Sequence, residues 1–247
     1  MSAIQTTRAP TAGADDRAPQ VRAMFDRIAP RYDLANRMMS LGMDQWWRRQ
    51  ALDTLGDAAR GEVLDLCCGT MDFTVMLLER GAQRVIAADF SEGMLDAGAS
   101  KLPPGAPVER VVADARDLPL ADASVDGILC GFGLRNVPGV EDALVECARV
   151  LRPGGRLVVL DLFQPDWWLP RLLQGTYNKV AVPLLGGAIT GFGDAYRYLE
   201  ESIEAFHTRR AFEAAVAAAG LTADGRDMLP PVAGMVWADK PGEVSDV

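Results

Sequence analysis

The stretch Val63-Leu64-Asp65-Leu66-Cys67-Cys68-Gly69-Thr70-Met71-Asp72 runs into a helical segment from Phe73 to Leu78 and then into Arg84-Val85-Ile86-Ala87-Ala88-Asp89; it decides the fold. Two apolar runs of strand length enclose a helix, with a glycine-bearing turn after the first, which is the pattern of a βαβ unit. Both runs are nearly continuous in apolar residues, as strands buried on two faces are. In an open sheet of this kind a ligand sits beyond the carboxyl ends of the strands, where strand order reverses. Gly69 would let the backbone approach such a ligand with no side chain in the way. Asp89 closes the second strand twenty positions later, a spacing that suits a carboxylate accepting both ribose hydroxyls of an adenosine-containing cofactor.

Working outward, Ser91 is placed to cap the next helix. Val108 to Val112 reads as a third strand and Val125 to Gly131 as a fourth, with Asp114 just past the third, where it could meet an adenine amino group. Val140, Leu144, Cys147, Ala148 and Leu151 have amphipathic helix spacing. Pro153-Gly154-Gly155 is read as the turn that ends this helix and leads into a fifth strand, Arg156 to Leu160. Thr208 can cap a last helix carrying Phe212, Val216 and Ala219, followed by strands near Thr222–Arg226 and Val232–Trp237. The expected architecture is α/β, doubly wound, with a mostly parallel sheet of seven strands.

Upstream, residues 1–19 have no periodicity and read as a mobile tail before a single domain spanning 20–247. Within it, residues 20–56 form short helices, broken at Pro30 and Gly42. Residues 163–205 interrupt the βα alternation. Trp167, Trp168, Tyr177, Phe192, Tyr196 and Tyr198 stand there among glycines and prolines, and the segment reads as a lid inserted over a pocket.

The bulk numbers exclude several functions. Net charge is -9 over 247 residues, so a phosphate backbone would be repelled and nucleic acid is not the expected substrate. The four cysteines, Cys67, Cys68, Cys130 and Cys147, lack ligand spacing, so no metal site is expected. His207 is the only histidine and stands at a helix start, which suits a surface or capping role and leaves no second histidine for a hydrolytic triad. One glycine in the first loop is too few for the dinucleotide fingerprint, which argues against a nicotinamide dehydrogenase; a phosphate-free cofactor needs no such cradle. No basic-then-apolar leader opens the chain and no apolar run approaches about 18 residues, so the expected location is the cytoplasm. Trp46, Trp47, Arg48 and Arg49 could rest at a membrane interface, although a core helix with a solvated basic end is the commoner arrangement. Peripheral membrane contact and a homodimer are left open as partners.

Four further segments carry a resemblance: Met24-Phe25-Asp26-Arg27-Ile28-Ala29-Pro30-Arg31-Tyr32-Asp33-Leu34-Ala35-Asn36, Gly131-Phe132-Gly133-Leu134-Arg135-Asn136-Val137, Arg149 to Gly155, and Asp194 to Ile203. With the strand-end residues, from about 21 to 221, the chain resembles the ubiquinone/menaquinone-biosynthesis C-methyltransferase family. The resemblance implies a seven-stranded sheet with its last strand antiparallel, S-adenosylmethionine as cofactor, and methylation of a ring carbon on a polyprenylated quinol, a lipophilic aromatic small molecule. Thr70, Asp89, Asp114 and Ala115 match the family's cofactor positions. Asp65, Gly69, Phe90 and Gly131 flank the same strand ends and complete the candidate cofactor set. Arg135, Asn136 and Tyr32 match residues that border the reacting ring and are the catalytic candidates.

A quinol carbon becomes nucleophilic when a neighbouring phenol ionises, and free phenols do so only near pH 10. Arg135 could stabilise that phenolate but is too basic to accept its proton. Water, Tyr32 or an aspartate could take it. Alternatively Arg135 holds the lid through Glu200 or Glu201, Asn136 is a turn residue, and Tyr32 is core. Three departures from the family pattern stand out: Cys68 and Met71 where small residues are usual, Gly131 in place of a serine, and the absence of a C-terminal histidine. They motivate two other readings, a methyltransferase of secondary metabolism and a non-catalytic cofactor binder.

Overall fold

The structure, a computed structural model, describes residues 18–40, 42–164, 193–229 and 233–242. Its described elements are α1 (Ala18–Ile28), a 3-10 turn (Ala29–Arg31), α2 (Tyr32–Met39), α3 (Met43–Leu55), β1 (Glu62–Leu66), α4 (Asp72–Arg80), β2 (Arg84–Asp89), α5 (Glu92–Ala99), β3 (Val108–Val112), β4 (Val125–Gly131), α6 (Val140–Val150), β5 (Leu151–Asp161), α7 (Gly193–Ala205), α8 (Arg209–Ala218), β6 (Thr222–Asp227) and β7 (Gly234–Asp239). The seven strands form one sheet in the order β3-β2-β1-β4-β5-β7-β6. β1 to β5 pair in parallel, and β7 runs antiparallel to both neighbours. Strand order therefore reverses between β1 and β4, where the ligand rule puts the site.

Side chains alternate across the sheet with the two-residue period of a strand. Leu64, Ile86, Ile128 and Cys130 enter one core with Val140, Leu144 and Cys147 of α6 and Phe212 and Val216 of α8. Val63, Val85 and Leu129 enter the other, against Trp47, Ala51, Leu52 and Leu55 of α3 and Phe73 and Leu77 of α4. Two caps form as read: Ser91 Oγ accepts from Met94 N–H at 3.1 Å, and Thr208 Oγ1 from Ala211 N–H at 3.3 Å.

Some expectations need correcting. The fifth strand begins at Leu151, because Pro153-Gly154-Gly155 is absorbed as a bulge: register jumps from Val125↔Leu151 to Gly127↔Arg156. The last strand begins at Gly234, two residues later than read. α1 starts at Ala18, inside the segment read as tail, whose residues 1–17 lie outside the described residues. So do Trp167, Trp168, Tyr177 and Phe192 of the expected lid, and Pro230 to Val232. Trp47 is buried and donates its indole N–H to Leu229 O at 3.0 Å, and Arg48 is buried, so α3 is a core helix with Trp46 on its exposed side.

Candidate active site

A cavity of about 580 Å³ opens at the carboxyl ends of β1 to β4. Successive strand ends contribute successive walls: Ala113, Asp114 and Ala115 after β3, Asp89 and Phe90 at β2, Leu66, Cys67 and Gly69 at β1, and Gly131 and Phe132 at β4. Asp89 is fixed by the backbone: its Oδ2 accepts Gly69 N–H at 2.8 Å and its Oδ1 accepts Ser91 N–H at 2.9 Å. Burial lifts this carboxyl above the ordinary range, against the pull of those two N–H groups. Each oxygen keeps a lone pair, so the carboxylate can still accept a pair of hydroxyls. Gly69 sits at φ +53°, in the left-handed region that glycine adopts without strain.

At the adenine end Asp114 is engaged by its near neighbour. Arg116 donates Nη2–H to Oδ2 at 2.7 Å, Nε–H to Oδ1 at 3.0 Å and its backbone N–H to Oδ1 at 2.9 Å. Burial pushes the Asp114 carboxyl up, but the Arg116 bonds outweigh it and hold the group low. The other arginine of the lining, Arg135, is tied to Asp161, so both cavity arginines face carboxylates and neither is set for a pyrophosphate. A nucleoside cofactor without phosphates fits this donor set. Two candidates stand apart from the lining: Asp65 accepts Thr74 Oγ1–H at 2.6 Å, and Thr70 donates its hydroxyl to Asp33 at 2.5 Å.

The N-terminal helices cover the cavity. Phe25 and Tyr32 line it and meet edge to face at 6.1 Å; Phe25 also meets Phe90 at 6.0 Å and Tyr198 of α7 at 6.3 Å. Two carboxylates dock this cover onto the loops that touch the ligand space. Asp26 accepts Ser91 Oγ–H at 2.5 Å, and Asp33 pairs with Lys101, which also reaches Asp72 at 2.7 Å. Tyr198, Asp26, Asp33 and Lys101 escaped the sequence reading as site residues, because their partners are distant in the chain.

Arg135 and Asn136 occupy a 3-10 turn after β4. Arg135 donates Nη1–H to Asp161 Oδ1 at 2.8 Å and, in a short bond, to Phe132 O; its backbone N–H reaches Asp161 Oδ2 at 3.2 Å. Its ion-pair partner is thus Asp161, not Glu200 or Glu201, because the Gly131↔Leu160 register sets the end of β5 beside this turn. Burial disfavours the guanidinium charge, but Asp161 and then Tyr32 outweigh it and raise the pKa, so Arg135 stays charged. Asn136 Nδ2–H donates to Phe132 O at 3.3 Å. Among the described residues, Arg135 Nε and Asn136 Oδ1 are buried with no hydrogen-bond partner. Phe132, whose carbonyl both residues hold, has φ +61°, a conformation that costs a non-glycine residue of order 1–3 kcal/mol and gathers at functional sites.

Two of the three departures from the family pattern have local explanations. Met71 is fully buried with Ala87 and Leu95, and neither it nor Cys68 lines the cavity. A Cβ on Gly131 would fall 2.6 Å from Phe73 Cε2 and 2.9 Å from Arg48 Nη1, so glycine is what this packing accepts. His207 does border the cavity, with Nε2 3.2 Å from Glu141 Oε1. Among the described residues no group of His, Cys, Asp and Glu could hold a metal, and all four cysteines are free thiols.

Asp65 supplies a pH test. Burial lifts its carboxyl to about 7, opposed first by the Thr74 hydrogen bond and then by Arg48. Between about pH 4 and that value the folded protein binds a proton that the unfolded chain does not, so Asp65 makes stability fall as pH rises through this window. Asp65→Asn is expected to match the wild type near pH 4, to gain on it as pH rises, and to melt roughly 5–10 °C higher at pH 8. Thermal melts that show the same pH slope for both proteins would refute the assignment.

The sequence matches the profile of the ubiE/COQ5 methyltransferase family over residues 12–232. It is 43% identical over 221 residues to the demethylmenaquinone methyltransferase of Thermus thermophilus, covering 88% of this chain and 100% of that protein. With the demethylmenaquinone methyltransferase of Mycolicibacterium gilvum it shares 44% identity over 201 residues, covering 81% and 86%. Solved structures share the fold at lower identity. An S-adenosylmethionine-dependent methyltransferase from Aquifex aeolicus superposes with a TM-score of 0.57 at 18% identity, covering 78% of this chain and 88% of that one. Phosphoethanolamine N-methyltransferase 2 of Haemonchus contortus, in complex with S-adenosylmethionine, gives 0.61 at 13% identity, covering 78% and 52%.

Proposed function

Because the chain belongs to the ubiE/COQ5 methyltransferase family and is an S-adenosylmethionine-dependent methyltransferase, we propose that it methylates a ring carbon of a lipophilic quinol of the demethylmenaquinol type. The observation that carries this reading is the pair of unpartnered atoms on adjacent residues. Among the described residues Arg135 Nε–H lacks an acceptor and Asn136 Oδ1 lacks a donor. A phenolic hydroxyl, which both donates and accepts, is the complement of that pair. Buried polar groups are rarely left unpaired, so their pairing is an incentive to seat the ring there.

The residues then divide the work. Asp89 and Asp114 hold the nucleoside, Phe90 and Ala115 flank it, and Gly69 and Gly131 let it lie close to the backbone. The bound cofactor supplies an electrophilic methyl on a sulfonium. Phe25, Tyr32 and Tyr198 shut water out, and their ring faces suit a cationic centre. Asn136 orients the hydroxyl, and the Arg135 charge lowers the phenol's pKa so that water suffices to take the proton. Orientation of carbon against methyl supplies much of the remaining gain. Asp65 and Thr70 support the loop from behind.

A prenyl-type tail must reach the cavity from a bilayer, while no helix among the described residues is long and apolar enough to cross a membrane. Leu34, Trp46 and Leu229 are exposed on the N-terminal side and offer a surface for peripheral contact. Two of the three motives for the alternative readings fall away, since Met71 and Cys68 stay out of the cavity and Gly131 is set by packing.

The test is transfer of labelled methyl from S-adenosylmethionine to a demethylmenaquinol acceptor. Reduced acceptor is expected to be methylated, and the same acceptor held as its quinone is not, because the quinone has no hydroxyl to ionise. Tight cofactor binding with no transfer to the reduced acceptor would remove the substrate assignment.

A further inference from the structure

Arg48, on α3, is only 6% exposed; the carboxylates of Asp72 and Asp65 act on its charge, but one of its donors is left unused. Its Nε lies 3.8 Å from Asp72 Oδ2, too far for a hydrogen bond, and has no hydrogen-bond partner among the described residues. Lys101 binds the other oxygen of this carboxylate, Oδ1, at 2.7 Å. The guanidinium sits over two rings, 5.0 Å from the centroid of Phe73 and 5.3 Å from that of Phe132. Aromatic faces hold a cation in place but do not use its N–H donors. A buried donor left unused is costly, and a further anion that accepts from it would remove that cost.

Its position says which anion. Arg48 stands behind the cavity wall rather than in it: its Nη1 lies beside Gly131, a lining residue at the end of β4, 2.9 Å from where a Cβ on that residue would be. The candidate nucleoside contacts fall at the ends of β3 (Asp114) and β2 (Asp89), so a cofactor laid across the strand ends continues past β1 toward β4. From β2 to β4 is two strand spacings, about 9–10 Å. The 5′-carbon, the sulfur and an extended methionine chain together are of about that length, and the chain ends in an amine and a carboxylate. We propose that Arg48 binds the carboxylate of the cofactor's amino-acid end. The proposal rests on the cofactor reading above and adds to it the group that tells the whole cofactor from its nucleoside part. The absence of a hydroxyl at residue 131 fits: the arginine occupies that space. The N-terminus of α4, which begins at Asp72, adds a favourable partial charge.

Calorimetry with two ligands tests this. S-adenosylhomocysteine carries the amino-acid end; 5′-methylthioadenosine has the nucleoside and sulfur without it. Arg48→Met is expected to weaken S-adenosylhomocysteine about 10- to 100-fold, the loss of a charge-assisted bond, while 5′-methylthioadenosine changes by less than about twofold. Arg48→Lys keeps the charge without the fork and is expected to lose about 3- to 10-fold on the first ligand alone; it carries the test should the methionine variant not fold. Equal losses on both ligands would mean that Arg48 only props the Phe132 turn, and no loss on S-adenosylhomocysteine would mean that it holds nothing; either overturns the proposal. Wild-type protein that binds neither ligand overturns the cofactor reading and this one together.

Discussion

Asp89→Ala is expected to raise the dissociation constant for S-adenosylmethionine by 100-fold or more. Two hydroxyls donating to one carboxylate are charge-assisted hydrogen bonds, each worth about 1.5–3 kcal/mol, and the variant loses both. It also frees Gly69 N–H and Ser91 N–H, which the carboxylate holds at 2.8 and 2.9 Å, so the loops at β1 and β2 loosen together. The two effects separate with a ligand. An analogue without ribose hydroxyls should bind wild type and variant alike if the loss is contact, and should lose affinity in the variant if it is loop order. Asp89→Asn keeps the shape but turns an NH2 group toward one of those backbone N–H donors, so about a tenfold loss is expected even there. The pH dependence has a definite sign. Burial raises the Asp89 carboxyl, so the proton that spoils hydroxyl binding arrives at a higher pH than for an ordinary aspartate. Affinity should fall on the acid side in the wild type and stay flat in the asparagine variant. Calorimetry showing Asp89→Ala within a few-fold of wild type would sink the nucleoside site.

The strands were legible because each is an apolar run long enough to cross a sheet covered on both faces, and Asp89 because it is the last residue of its strand. Asp65 resembles Asp89 in type and place, but Leu66 follows it in β1, and its side chain turns to Thr74 in α4. Spacing says which strand end a carboxylate belongs to and not which way it leaves the sheet. Pro153-Gly154-Gly155 read as a turn because proline and glycine usually break a strand, while here the β4 pairing accommodates them as a bulge. The partners of Arg135 and Arg48 were out of reach for another reason. Asp161 stands 26 positions from Arg135, and Phe132 and Gly131 lie more than 80 from Arg48, so the first pairing exists only once β4 and β5 are in register and the second only once α3 packs on β4. A strand-end carboxylate at Asp161 was the available signal, since it closes β5 as Asp89 closes β2.

Arg135→Met should lower kcat for methyl transfer by about 100- to 1,000-fold, the cost of removing one preorganised donor from a developing oxyanion. Cofactor affinity should stay within about threefold, because Arg135 borders the cavity after β4 and Asp89 at the end of β2, two strands away. A purely structural arginine would also lower activity, so the pH profile decides. In the wild type the Asp161-held guanidinium is charged and lowers the phenol's pKa, and the rate should level off well below pH 10. Without that charge the profile should move up toward the value of the free phenol, and high pH should restore part of the rate. Arg135→Lys is not expected to rescue. A single ammonium cannot bond Asp161 and Phe132 O and also supply the further donor that the guanidinium has in Nε–H. Asp161→Asn offers the complementary result. It leaves the Arg135 charge buried and under-compensated, at a cost of about 3–5 kcal/mol in stability, whereas Arg135→Met in the same background restores part of that loss. If instead Arg135→Met lowers kcat with an unmoved pH profile, the arginine is holding the Phe132 turn and the phenolate is stabilised elsewhere.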